Sequence, residues 1–153
     1  MVNVLFLCLG NICRSPMAEA VFKKMVVDEG LESKIEVDSA GTSGWHAGER
    51  PHDGTLAILE KNGVPHEWMK SRQIVKKDFD HFDYIVAMDK DNIKALAHFG
   101  KINENQVFRL LDLVENSSVK NVPDPYYTDN FGEVYKLVEA GCKALMEKIK
   151  AEI

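Results

Sequence analysis

The sequence predicts an α/β fold in which a parallel sheet is wound on both faces by helices. Three observations carry that expectation. The chain opens on a nearly continuous apolar run, Val2-Asn3-Val4-Leu5-Phe6-Leu7-Cys8, the pattern of a parallel strand covered on both faces. Strand patterns then alternate with helical ones to the end of the chain, as in a doubly wound sheet. The 153 residues, 45% hydrophobic and 28% charged, suit one compact core, so residues 1–153 are expected to form a single domain.

Each element has its own local reason. Ser15-Pro16 reads as the start of the first helix, a capping hydroxyl followed by a proline that costs no hydrogen bond in the first turn. Met17, Val21, Phe22 and Met25 continue it as an apolar stripe that stops near Gly30. Ile35 to Ser39 is the second strand, and the glycine-rich stretch from Gly41 to Pro51 is a loop. A helix from about His52 to Asn62 ends at Gly63 and Pro65. Asp83 to Met88 is the third strand, Asp89 to Phe99 the helix after it, and Gln106 to Leu110 the fourth strand. The last helix starts at Asn130, with Glu133 placed to complete a capping box. Phe131, Val134, Tyr135, Val138, Cys142, Leu145, Met146 and Ile149 form its apolar face. Folds of this kind bind ligands at the carboxyl ends of their strands.

Composition narrows the function. No apolar run approaches the roughly 20 residues of a membrane span, and Met1 to Leu7 lacks the basic lead of a secretory leader. Cys8, Cys13 and Cys142 are odd in number and lack zinc-type spacing, which reads as thiols in a cytoplasmic protein. The net charge of −5 argues against a nucleic-acid footprint and opposes anionic ligands from a distance. The five histidines lie in polar stretches without ligand spacing, so nearly all are expected at the surface. No metal or cofactor is expected.

The most informative segment joins the first strand to the first helix: Cys8-Leu9-Gly10-Asn11-Ile12-Cys13-Arg14-Ser15. A tight loop there aims backbone N–H groups and the positive end of a helix at one point, a site for an oxyanion that needs no metal. Gly10 can supply the positive φ of such a loop, and Asn11 tolerates it nearly as well. Arg14 adds a planar, two-pronged donor matched to phosphoryl oxygens. The same groups favour thiolate over thiol at Cys8, so this residue is the expected nucleophile for phosphoryl transfer. A phosphocysteine would form, with the Ser15 hydroxyl stabilising the sulfur as it leaves.

These residues resemble the low-molecular-weight protein tyrosine phosphatases. The likeness runs through Cys8 to Pro16, Asp38-Ser39-Ala40-Gly41-Thr42, Met88-Asp89 and Asp124-Pro125-Tyr126-Tyr127, in order and over nearly the whole chain. It implies a three-layer sandwich, a four-stranded parallel sheet with helices on both faces. It also implies that Cys8 is the nucleophile, Arg14 the phosphate clamp and Asp124 the general acid. Leu9, Gly10, Asn11, Ile12, Cys13 and Ser15 complete the phosphate-binding loop, and Asn11, Ser15 and Ser39 share hydrogen bonds that hold it open. The expected ligand is a phosphotyrosine-containing protein or peptide, with phosphate and vanadate as inhibitory anions.

Chemistry asks for a residue such as Asp124, because a departing phenolate must be protonated, a step worth about 100- to 10,000-fold. Its flanking prolines, Pro123 and Pro125, predict a stiff extended segment. Trp45 and Tyr126 are candidates for the walls of a pocket holding a phenyl ring, with Leu9 lining it as well. Cys13 is either a small buried side chain or a thiol that captures an oxidised Cys8 as a reversible disulfide, and Cys142 belongs to the core. One departure concerns the loop network. Many members carry a histidine three residues before an Arg-Gln pair; here that pair is Arg72-Gln73 and the position is Met69, so the brace of the loop is expected to differ. Protein arginine phosphatases of the same fold are a rival, but there a threonine replaces the loop isoleucine and the paired tyrosines are missing. A thioredoxin-coupled arsenate reductase needs two mid-chain cysteines that do not occur between Cys13 and Cys142. A non-catalytic phosphate-binding module is the third alternative.

Overall fold

The computed structural model describes residues 1–153. Four strands, β1 (Val2–Cys8), β2 (Ile35–Gly41), β3 (Tyr84–Ala87) and β4 (Val107–Arg109), form one sheet in the order β2-β1-β3-β4. All neighbouring pairs are parallel. The chain leaves β1 on one side for β2 and returns on the other for β3, so the strand order reverses beside β1. That is where a doubly wound sheet opens a crevice for ligand, and the carboxyl end of β1 is Cys8.

β1 is central, and its apolar run is buried as read, with Val4, Leu5, Phe6 and Leu7 inaccessible to solvent. Alternate side chains face opposite layers. Val4 and Phe6 point into the larger cluster, built with the helices α1 (Arg14–Asp28), α2 (Asp53–Lys61) and α6 (Phe131–Lys150). Leu5 and Leu7 point the other way, against Ile85, Ile74 and Leu96 in the layer of α3 (Asp78–His81) and α4 (Lys90–Leu96). Phe6 meets Phe22 of α1 edge to face, ring centres 5.7 Å apart. Such a pair adds about 0.5–1.5 kcal/mol beyond its buried area. No helix is long and apolar enough to cross a membrane.

Four local expectations are corrected. Helix α1 begins at Arg14, two residues earlier than the Ser15-Pro16 signal suggested, and Ser15 caps nothing; its hydroxyl turns to Cys8 instead. Asn130 does cap α6, but Glu133 bonds the Asn130 side-chain amide rather than its backbone N–H, which is taken by Thr128. The segment after Asp124 is not extended throughout: Asp124 is the N-cap of a short helix, α5 (Pro125–Thr128). The fourth strand, expected from Gln106 to Leu110, is only Val107–Arg109, because Leu110 opens a 3-10 turn, Leu110–Leu113, directly after it. Both short elements are four residues long, too short for an apolar period to register.

Candidate active site

Residues 9–13 leave β1 and curl back before α1 begins. None of the backbone N–H groups from Leu9 to Ser15 donates to a backbone acceptor, so the loop leaves its donors to whatever occupies the space it encloses. Asn11, not Gly10, carries the positive φ of 55°. Its side chain explains why that conformation holds. Nδ2 donates to Ser15 Oγ at 2.8 Å and Ser39 Oγ at 2.9 Å, while Oδ1 accepts from the Arg72 N–H at 3.0 Å. The Asn11 carbonyl also accepts from the Ser71 hydroxyl. Glycine is needed at position 10 for room, since an added Cβ would lie 3.1 Å from the His46 ring. Gly41 serves the same end behind the loop, where a Cβ would meet the Leu9 carbonyl at 2.8 Å.

Cys8 lies at the floor of the resulting cavity, buried, with Sγ 3.0 Å from Ser15 Oγ. The cavity measures about 210 Å³ and is lined by Cys8, Leu9, Gly10, Ile12, Cys13, Arg14, Trp45, His46, Asp124, Tyr126 and Tyr127. The expected nucleophile, clamp and acid therefore meet, although Asp124 is 110 residues from Arg14 in sequence. Asn11 and Ser15, expected among the substrate-binding side chains, do not line it. Both are buried behind the loop and hold its shape, because their polar groups are committed to each other and to Ser39.

Arg14 is fixed before any ligand arrives. Nη1 donates to Asp89 Oδ2 at 2.5 Å and to the Val122 carbonyl at 3.0 Å, and Nη2 lies 3.4 Å from Asp124 Oδ2. Burial works to lower its pKa, but the charges of Cys8, Asp89 and Asp124 outweigh it and raise the value, so the guanidinium stays charged. Asp89, which in the sequence was only part of a motif, is thus the residue that orients the Arg14 guanidinium. Asp124 accepts the Tyr126 N–H on Oδ1 at 3.1 Å as the N-cap of α5, which aims its other oxygen at the cavity. Burial, then the charge of Cys8, pushes the Cys13 thiol up to about 12.

The aromatic candidates stand at the mouth. Trp45 is 76% exposed and Tyr126 55% exposed, so neither is a core residue. Tyr127 joins them at the rim, against Tyr126 with ring centres 5.4 Å apart. His52, read as a surface residue, is part of the support: its ring stacks on Phe131 at 5.1 Å and meets the edge of Tyr126 at 6.0 Å. The His52 backbone N–H donates to the Ile12 carbonyl. His66 also departs from the surface expectation. It is buried, accepting from Arg50 on Nδ1 at 2.9 Å, which leaves Nε2–H for Glu60 at 3.2 Å. Arg50 pins the rest of that segment through the carbonyls of His66, Glu67 and Met69.

Met69 is buried in the larger core cluster and makes no polar contact with the loop. The brace runs from Ser39, which the sequence pointed to, on to Glu19 and Trp68, which it did not. Ser39 Oγ donates to Glu19 Oε1 at 2.5 Å, and Trp68 Nε1 donates to Glu19 Oε2 at 2.8 Å.

With this geometry in view, comparison with known proteins is decisive. The family model described as low molecular weight phosphotyrosine protein phosphatase matches residues 3–153. The chain belongs to that family. It is 52% identical over 153 residues to the low molecular weight protein-tyrosine-phosphatase YfkJ of Bacillus subtilis, covering 99% of this chain and 98% of YfkJ. The crystal structure of YfkJ superposes with a TM-score of 0.97, at 51% identity, covering 99% and 96% of the two chains. The low molecular weight protein-tyrosine-phosphatase PtpA of Staphylococcus epidermidis is 44% identical, covering 97% of this chain and 94% of PtpA. A structure described as DARP, Drosophila arginine phosphatase, also superposes, with a TM-score of 0.87 at 32% identity, covering 96% and 97%. The protein is thus a phosphoric monoester hydrolase of the low-molecular-weight phosphotyrosine phosphatase family.

Proposed function

We propose that residues 1–153 work as one catalytic domain in the cytoplasm, dephosphorylating tyrosine in proteins and peptides with Cys8 as nucleophile. The observation that carries the reading is the loop from Leu9 to Ser15, whose backbone N–H groups have no backbone partners and whose ends are Cys8 and the pre-oriented Arg14. The phosphoryl group sits in this cup. The amides and the guanidinium offset its charge and that developing in the transition state. Cys8 Sγ attacks phosphorus in line, the phosphorus–oxygen bond to the phenol breaks, and Asp124 delivers its proton to the leaving oxygen. A water then attacks the phosphocysteine with Asp124 as base, and the Ser15 hydroxyl donates to the departing sulfur. Three free thiols suit a reducing compartment.

Tyrosine is favoured over shorter phosphoamino acids because Cys8 lies beneath a rim of Trp45, Tyr126 and Tyr127, which a flat ring can span. Ile12 lines the cavity with a branched apolar side chain, where the arginine phosphatases place a hydroxyl that could meet a guanidinium. The test compares initial rates on matched phosphotyrosine and phosphoarginine peptides, with and without EDTA and vanadate. Phosphotyrosine should be preferred, vanadate should inhibit, and the chelator should change nothing. A preference for phosphoarginine, or loss of activity in EDTA, would overturn the assignment.

A further inference from the structure

Glu19 is the one carboxylate buried inside α1, 6% exposed and five residues beyond Arg14. A charge there is costly unless its acceptors are filled. Both oxygens are filled, by Ser39 and by Trp68. The indole N–H can only donate, so Oε2 is necessarily an acceptor. Burial pushes the carboxyl above its usual range, against the pull of those two donors, with Asp38 and Lys23 the other charges that act on it.

The donor and acceptor roles beyond Glu19 follow from valence. Ser39 spends its only hydrogen on Glu19, so it must accept from Asn11 Nδ2. Asn11 cannot flip, because its Oδ1 takes the Arg72 N–H. Its second amide hydrogen therefore goes to Ser15 Oγ, which becomes an acceptor there. The Ser15 hydrogen is left with two possible acceptors, Cys8 Sγ at 3.0 Å and the Ala40 carbonyl at 3.4 Å, and the sulfur is the nearer. Trp68 is held in turn by its ring, with Lys23 Nζ 4.4 Å from the ring centre.

We propose that Glu19, fixed by the Trp68 N–H, is a positioning residue for the nucleophile: it anchors Ser39 and Asn11 so that the Ser15 hydroxyl stays committed to Cys8. The proposal rests on the nucleophile assignment above. Without the Glu19 acceptor, the Ser39 hydroxyl turns elsewhere, Asn11 loses an anchor, and Ser15 no longer points its hydrogen at the sulfur. The thiolate then loses a donor, while the phosphate still meets Arg14 and the loop amides.

The experiment measures iodoacetate alkylation of Cys8 against pH, by mass spectrometry of the folded protein. Cys13, with its thiol pushed up to about 12, stays silent over the range used. In Glu19→Gln the alkylation midpoint should move to higher pH, and kcat should fall on the order of tenfold, the scale of one charge-assisted hydrogen bond. Inhibition by inorganic phosphate should change little. Trp68→Phe keeps the ring, removes only the N–H, and should shift the midpoint the same way by less. In Ser39→Ala, adding Glu19→Gln should produce no further shift. An unchanged midpoint in folded Glu19→Gln overturns the proposal, because a merely structural role would lower the active fraction without moving a pH profile. If Glu19→Gln does not fold, Trp68→Phe decides: an unchanged midpoint there overturns it equally. The nucleophile assignment fails separately, if the parent enzyme keeps turning over after Cys8 is fully alkylated.

Discussion

Asp124 and Arg14 share a contact at 3.4 Å, and their roles pull in different directions. In the proposed mechanism Arg14 keeps two donors for phosphate, while Asp124 reaches the leaving oxygen. Asp89 resolves the competition by holding Nη1 at 2.5 Å, leaving the weaker contact to Asp124. Replacing Asp124 with alanine should lower kcat on phenyl phosphate by about 100- to 10,000-fold. The loss on p-nitrophenyl phosphate should be much smaller, since its leaving group needs no proton. Steady-state rates over a series of aryl phosphates read this as a steeper dependence on leaving-group pKa; parallel losses across the series would remove Asp124 as the acid. At this scale the sequence was unevenly legible. Cys8 and Arg14 could be found because a strand end, a turn and a helix start are local events. Asp124 stood out only through a family motif, because its approach to Arg14 is made by folding. Glu19 and Trp68 could not be seen at all. Nothing local marks a glutamate inside a helix as buried, and its donors lie 20 and 49 residues away.

Between elements, the mouth of the cavity depends on how α2 meets α6. The first turns of the two helices touch through the His52–Phe131 stack, at 5.1 Å, and this stack backs Tyr126. Gly54 is required there, as an added Cβ would lie 2.4 Å from the Phe131 ring. Gly54→Ala should therefore destabilise the protein by about 1–3 kcal/mol through overpacking, despite the helix preference for alanine. It should also raise KM for aryl phosphates. Chemical denaturation and kinetics check both effects, and the double variant with Phe131→Ala should recover part of the loss in KM; a Gly54→Ala protein as stable as its parent would contradict the contact. The main strands and helices could be read from sequence because apolar period and capping residues agree over many residues. The exceptions are instructive. Ser15 has the chemistry of a cap, but a tertiary partner, Cys8, outcompetes the helix end. Likewise Asn11 rather than Gly10 takes the left-handed backbone, since three tertiary hydrogen bonds to its amide outweigh the freedom of glycine.

The whole molecule carries a net charge of −5, yet the proposed site is one for a phosphate dianion. Binding must come from donors within a few ångströms, against a long-range field of the wrong sign. Salt separates the two, because screening shortens the range of charge interactions from about 30 Å at 0.01 M to about 8 Å at 0.15 M. For a phosphotyrosine peptide with acidic flanks, kcat/KM should rise severalfold over that interval in sodium chloride. For a neutral aryl phosphate it should change less. A fall for the acidic peptide would mean that the surface around the mouth, and not the net charge, governs encounter.

The central claim is that phosphate is transferred to Cys8 itself. It is tested most directly by quenching the Asp124→Ala protein in acid during turnover of p-nitrophenyl phosphate and mapping the product by mass spectrometry. The account predicts one added phosphoryl group, located on Cys8 and absent from the Cys8→Ser protein. Turnover with no adduct at Cys8, or with the phosphoryl group on another side chain, would contradict it.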